Sequence, residues 1–245
     1  MRKILALAAI VTAITMTHVQ ADEPTAGKQV EQTLKLEDNK SISYLLYLPK
    51  DYEAKAKWPV VLFLHGRGES RRPLSTVKKW GPPRLIERGE NFPCIIVSPQ
   101  CPEAESWGQP GQQKALVALL DQISKQCKAD EDRIYLTGLS MGGYGAWRLA
   151  ADHPERFAAV VPICGGGKPE DAEKLKNLPI WVFHGTDDPT VPLQRSAEMV
   201  EAIKKAGGTT IRFTTLEGIG HNSWEAAYAS PDMWQWMEKQ KRGEK

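Results

Sequence analysis

The apolar positions of this chain gather into short dense runs separated by longer mixed segments. Pro59-Val60-Val61-Leu62-Phe63-Leu64, Cys94-Ile95-Ile96-Val97, Arg133-Ile134-Tyr135-Leu136, Ala158-Ala159-Val160-Val161-Pro162-Ile163 and Pro179-Ile180-Trp181-Val182-Phe183 show almost no polar face. Strands of that kind are covered on both sides, as in a parallel sheet. Helix-length segments stand between the runs, over Val77–Arg88, Gln112–Gln126, Tyr144–Asp152 and Leu193–Ala206, the last closed by Gly207-Gly208. This alternation predicts an α/β architecture with helices on both faces of one sheet. Ahead of it, Thr33–Leu36 and Ser41–Pro49 alternate in period two around Asp38-Asn39-Lys40, which predicts an antiparallel hairpin at a sheet edge. Thr210–Leu216 supplies a last strand and Trp224–Gln240 a final helix.

One junction in this pattern carries chemistry. The run ending at Leu136 leads into Gly138-Leu139-Ser140-Met141-Gly142, and a helix-competent segment, Ala146-Trp147-Arg148-Leu149-Ala150-Ala151, follows. A G-x-S-x-G stretch between strand and helix forms a sharp turn that exposes the serine, and a Cβ at either glycine would strike its neighbours. Ligands of a parallel sheet sit beyond the carboxyl ends of its strands, so the other strand ends bear on the question. The run ending at Phe183 continues as His184-Gly185-Thr186-Asp187-Asp188-Pro189-Thr190-Val191-Pro192, and the last strand leads to Gly218-Ile219-Gly220-His221-Asn222-Ser223-Trp224. A serine, an acid (Asp187 or Asp188) and a histidine thus follow three different strands.

In that order, and with Leu64-His65-Gly66-Arg67-Gly68 after an earlier strand, the chain resembles single-domain α/β-hydrolases of the serine carboxylesterase kind. It is similar to feruloyl and acetylxylan esterases and to the prolyl oligopeptidase-like and dienelactone hydrolase-like groups, over about Ser41 to Trp236, with Ser140 where dienelactone hydrolases carry cysteine. The resemblance implies a mostly parallel central sheet of about eight strands. It also implies that Ser140 is the nucleophile, His221 its base and Asp188, three residues before Val191-Pro192, the acid that orients His221. Asp187 then reads as a turn or cap residue. The backbone N–H groups of Met141 and Arg67 are the expected oxyanion donors, with His65 bracing the Arg67 loop. His153 is expected at a helix end and His184 as a packing residue at a strand end. Trp107 and Trp224 either line the pocket or pack against the sheet and the last helix. Only Gly165–Leu178 separate two strands where many such hydrolases insert a lid, so a short helix, no cap domain and an open cleft are expected. The sequence asks for no metal and no cofactor.

Composition adds boundaries. The chain has 245 residues, 25% of them charged, and a net charge of +2, which suits one globular domain over residues 22–245. Arg2 and Lys3, the apolar Ile4–Met16 and the small-residue site Val19-Gln20-Ala21 read as a signal peptide over residues 1–21. Its apolar run is shorter than the ~20 residues of a spanning helix, so the expectation is a secreted or periplasmic protein without a stable membrane anchor. Without Arg2 and Lys3 the chain is near neutral, and Arg67, Arg71 and Arg72 lack the aromatic interleaving of a nucleic-acid surface. They form a solvated loop or meet an acidic group on a substrate. In an exported chain Cys94, Cys101, Cys127 and Cys164 either pair as Cys94–Cys127 and Cys101–Cys164, by the sheet edges they occupy, or stay free and buried. The reading is a secreted serine esterase acting on a small-molecule or polysaccharide-linked ester. A prolyl oligopeptidase-like peptidase is the enzymatic alternative, and a silent hydrolase-fold binding protein the alternative of another class.

Overall fold

The computed structural model describes residues 23–71 and 73–243. The signal-peptide expectation and Arg72 lie outside the described residues. Eight strands form one sheet: β1 (Gln29–Lys35), β2 (Ser41–Tyr47), β3 (Trp58–Leu64), β4 (Ile95–Pro99), β5 (Ala129–Leu139), β6 (Ala159–Ile163), β7 (Ile180–Gly185) and β8 (Ile211–Leu216). Their spatial order is β1-β2-β4-β3-β5-β6-β7-β8. β1 and β2 are the expected antiparallel hairpin, β2 runs antiparallel to β4, and every pairing from β4 to β8 is parallel.

The dense apolar runs are the parallel strands because both of their faces are buried. Along β3, Trp58, Val60, Leu62 and Leu64 join one core cluster while Val61 and Phe63 join the other. Side chains of a strand alternate between faces, so a continuous run feeds two cores at once. The first core is closed by α2 (Pro110–Gln126), α3 (Met141–Asp152), the short α4 (Ala172–Leu175) and α5 (Gln194–Lys205). The second is closed by α1 (Gly81–Glu87), α6 (Trp224–Tyr228) and α7 (Pro231–Glu238).

Two expected helices are corrected here, and the two alternatives for the cysteines are decided. The helix expected over Val77–Arg88 is broken: a 3₁₀ segment, Leu74–Lys79, ends in extended Trp80, and α1 starts at Gly81 with φ +63 ahead of Pro82 and Pro83. The final helix is also two helices, since Pro231 has no N–H to give the preceding turn and Ser230 instead caps α7 by accepting the Met233 N–H at 3.3 Å. All four cysteines are free. The edges expected for them hold, but the faces do not match. Cys94 and Cys164 belong to the second core while Cys101 belongs to the first and Cys127 packs against it, so each expected pair is separated by the sheet.

No helix among the described residues is long and apolar enough to cross a membrane. Between β6 and β7 lie only a 3₁₀ turn, Pro169–Asp171, and α4.

Candidate active site

β5 ends at Leu139 and α3 begins at Met141, leaving Ser140 alone in the turn with φ 53 and ψ −116. The turn is this tight because α3 starts directly against β3. A Cβ on Gly142 would lie 1.9 Å from the Leu64 carbonyl oxygen, and one on Gly138 2.4 Å from the Gly142 oxygen. The two flanking glycines are therefore required by close approach.

From the ends of β7 and β8 come the other two side chains. His221 Nε2 lies 2.9 Å from Ser140 Oγ, and His221 Nδ1 lies 2.7 Å from Asp188 Oδ2. An ionised carboxylate only accepts, so Nδ1 carries the hydrogen and Nε2 is left to accept the serine hydroxyl. Asp188 Oδ1 accepts the backbone N–H groups of Thr190 and Val191 at 2.8 and 2.9 Å. Burial pushes the Asp188 carboxyl up, but the hydrogen bonds from His221, Val191 and Thr190 outweigh it and hold the group below the usual carboxylate range. Asp187 is exposed, bonded to Thr186 Oγ1 at 3.0 Å, and takes no part in this chain of contacts.

The loop after β3 is built around buried polar groups. His65 is fully buried, and burial lowers it to about 4 against the pull of the Gly66 carbonyl. As a neutral ring it donates from Nδ1 to the Gly66 oxygen at 2.6 Å and accepts the Cys101 N–H at Nε2, 3.0 Å away. Glu69, buried as well, accepts the Gly66 N–H at 3.0 Å. Its spacing, three residues after Gly66 at the start of a helical turn, is the sequence signal that identifies it. The Arg67 side chain is drawn away from the cleft, donating to the carbonyls of Glu103 and Glu105. No acceptor among the described residues takes the backbone N–H of Arg67 or of Met141.

The two tryptophans part company. Trp107 is fully buried, donates its indole N–H to the His65 carbonyl at 3.0 Å and lies where a Cβ on Gly145 would strike it. It supports the loop from behind and lines no cleft. Trp224 meets His221 edge to face at 5.2 Å between ring centroids and leans on Trp80 at 5.8 Å. Beyond the Ser140 turn, a cavity of about 250 Å³ runs along α3 between Tyr144, Trp147, Arg148, Lys168 and Met199.

Cys164, Asp188 and His221 each place one donor atom within 4.8 Å of the others. Burial pushes the Cys164 thiol up to about 12, and the other two groups are already bonded to each other, so the trio is a hydrogen-bonded site with a protonated thiol beneath it.

This arrangement has clear relatives. The "Probable feruloyl esterase C" of Aspergillus niger is 24% identical over 87% of this chain and 79% of its own length, and that of Aspergillus flavus 26% identical over 91% and 83%. A solved structure described as a thermostable esterase superimposes with a TM-score of 0.74 and 35% identity, covering 87% of this chain, which spans 63% of that one. The feruloyl esterase module of Clostridium thermocellum complexed with sinapinate shares the fold at a TM-score of 0.65 and 16% identity. The sheet order, the helices on both faces and these likenesses are those of an α/β-hydrolase fold. The profile of the Esterase family, described as "Putative esterase", matches residues 37–237, and the chain belongs to that family of carboxylic ester hydrolases.

Proposed function

We propose that this chain is an exported serine carboxylesterase in which Ser140, His221 and Asp188 act as a catalytic triad on acyl or feruloyl esters, including those carried by polysaccharide. The observation that carries the reading is the unbroken hydrogen-bonded path from Ser140 Oγ through His221 to Asp188, at 2.9 and 2.7 Å. A neutral hydroxyl is a poor nucleophile; His221 takes its proton as Ser140 attacks the ester carbonyl and returns it to the leaving alcohol. Water then repeats the sequence on the acyl-enzyme. Asp188 holds the imidazole in the tautomer this requires and stabilises the imidazolium as it forms. The free N–H groups of Arg67 and Met141 receive the oxyanion, each contributing ~3 kcal/mol of transition-state stabilisation. The short β6–β7 connection leaves the cleft open to a bulky alcohol portion, and export follows from the leader-like N-terminal sequence.

The family and the most fully covered relatives favour an ester over an amide as substrate. The "Dipeptidyl-peptidase 5" of Porphyromonas gingivalis is 24% identical over 54% of this chain and 20% of its own length. A fluorophosphonate probe is expected to label the folded protein at Ser140, and failure to label would overturn the proposal. On a panel of p-nitrophenyl acetate, methyl ferulate, acetylated xylan and peptide anilides, turnover is expected on the esters. Faster turnover of the anilides would make the protein a peptidase.

A further inference from the structure

His184, at the end of β7, is fully buried, yet both of its ring nitrogens are engaged. Nε2 lies 2.8 Å from the Val191 carbonyl oxygen and 3.3 Å from Asp188 Oδ2. The carbonyl accepts the hydrogen that Nε2 must therefore carry, and the carboxylate oxygen lies beside that N–H as an electrostatic neighbour. Nδ1 lies 2.7 Å from Ser196 Oγ on α5, and that hydroxyl lies 2.9 Å from the Gly165 carbonyl. Gly165 in turn presses on the first turn of α3, where a Cβ added to it would come within 2.6 Å of the Gly143 carbonyl carbon. The contacts therefore close a ring: Ser140, His221, Asp188, His184, Ser196, Gly165, and back to the helix that Ser140 begins.

We infer that His184 is a positioning residue for the triad, an inference that rests on the esterase reading. Its Nε2–H holds the Val191 carbonyl, and the N–H of that same residue, with that of Thr190, holds Asp188 Oδ1. The carboxylate is thus fixed through the Val191 segment that His184 anchors, and it presents Oδ2 to His221. Because His184 Nε2 also lies 3.3 Å from the oxygen that His221 bonds, the positive end of its N–H limits how strongly Asp188 favours the His221 imidazolium. A histidine that merely filled space at the strand end would do neither.

Of the other groups around the carboxylate, the two titratable ones stay neutral across the range in which an imidazole titrates, and the arginine keeps a constant charge. Cys164, at the end of β6, is pushed up to about 12 by burial, and Tyr144 on α3 is raised by burial as well. Arg195 on α5 is exposed beside Glu198 at 3.9 Å.

Two substitutions separate positioning from packing. His184→Gln can place an amide N–H where Nε2 stands, whereas His184→Phe keeps the ring and loses the donor. His184→Phe is expected to lower kcat roughly tenfold or more with KM little changed, since a misplaced acid costs orientation and not binding. Its acid limb in kcat/KM against pH is expected to move upward by roughly half a pH unit, because the positive end of the His184 N–H no longer lies beside Oδ2. His184→Gln should recover most of both. Wild-type kcat and acid limb in His184→Phe, or equal damage in the two variants, overturns the inference. If His184→Phe does not fold, Ser196→Ala takes its place, and a wild-type profile there overturns it equally. The low-field proton resonance of His221 Nδ1–H gives a readout without turnover: it should shift in His184→Phe. A wild type that fails to turn over ester sinks the esterase reading, whereas an unshifted resonance sinks only the role of His184.

Discussion

Four described residues other than glycine have positive φ, and they form two contrasting pairs. Asp38 and Asn39, both at φ 56, make the exposed turn between β1 and β2. Half-buried Ser140 at φ 53 and buried Cys164 at φ 39 directly follow the neighbouring strands β5 and β6. Asp and Asn accept the left-handed region because their short polar side chains bond locally to the backbone, so the hairpin turn costs little. Ser and Cys have no such compensation, and each strained residue costs of order 1–3 kcal/mol that its surroundings must supply. Those surroundings are visible: Ser140 N–H is held by the Ile163 carbonyl at 3.0 Å and Cys164 N–H by the Phe183 carbonyl at 2.9 Å. A positive φ is cheap in the hairpin and enforced by the surroundings at the site.

Removing the Ser140 hydroxyl should have the largest effect of any change at either pair. Ser140→Ala is expected to cut ester turnover by ~10⁴-fold or more, with a melting temperature close to wild type because Ala is strained there in the same way. Retained turnover would break the assignment of the strained pair to chemistry. Next, Gly142→Ala forces a Cβ to 1.9 Å from the Leu64 oxygen, and a loss of about 4 kcal/mol or more is expected from urea unfolding. An unchanged midpoint would show that the core does not enforce the turn. Ser140→Gly sharpens the contrast: inactive, but more stable by ~1 kcal/mol as the strain is released. Differential scanning calorimetry should show a rise in Tm of about 2–4 °C for a chain of this size. At the hairpin, Asn39→Gly should shift stability by less than ~0.5 kcal/mol. A gain as large as that of Ser140→Gly would erase the distinction between the pairs.

Much of this was legible in the sequence, for physical reasons. The parallel strands announced themselves because burial on both faces leaves no room for polar residues, and the site because its members follow strand ends. The residues alone left Asp187 and Asp188 open, and the resemblance to serine hydrolases chose Asp188 by its place before Val191-Pro192; the structure buries Asp188 and exposes Asp187. The breaks at Trp80-Gly81 and Ser230-Pro231 were hidden because apolar spacing continues across them, although Pro82, Pro83 and Pro231 mark both places. Trp107 stayed open between pocket and packing because a loop residue carries no periodicity to tell inside from outside. His184 read as packing because a buried histidine's partners come from distant segments, here Val191 and Ser196.

The distribution of the cysteines has a consequence for how the chain meets an oxidant. Once the sheet has closed, it stands as a partition, with Cys94 and Cys164 on one side and Cys101 and Cys127 on the other. Cross-sheet bridges can then form only before the partition exists, in chains still unfolded. On the proposed export route the order of events matters: folding ahead of oxidation protects the thiols, and oxidation ahead of folding traps the chain outside its native state.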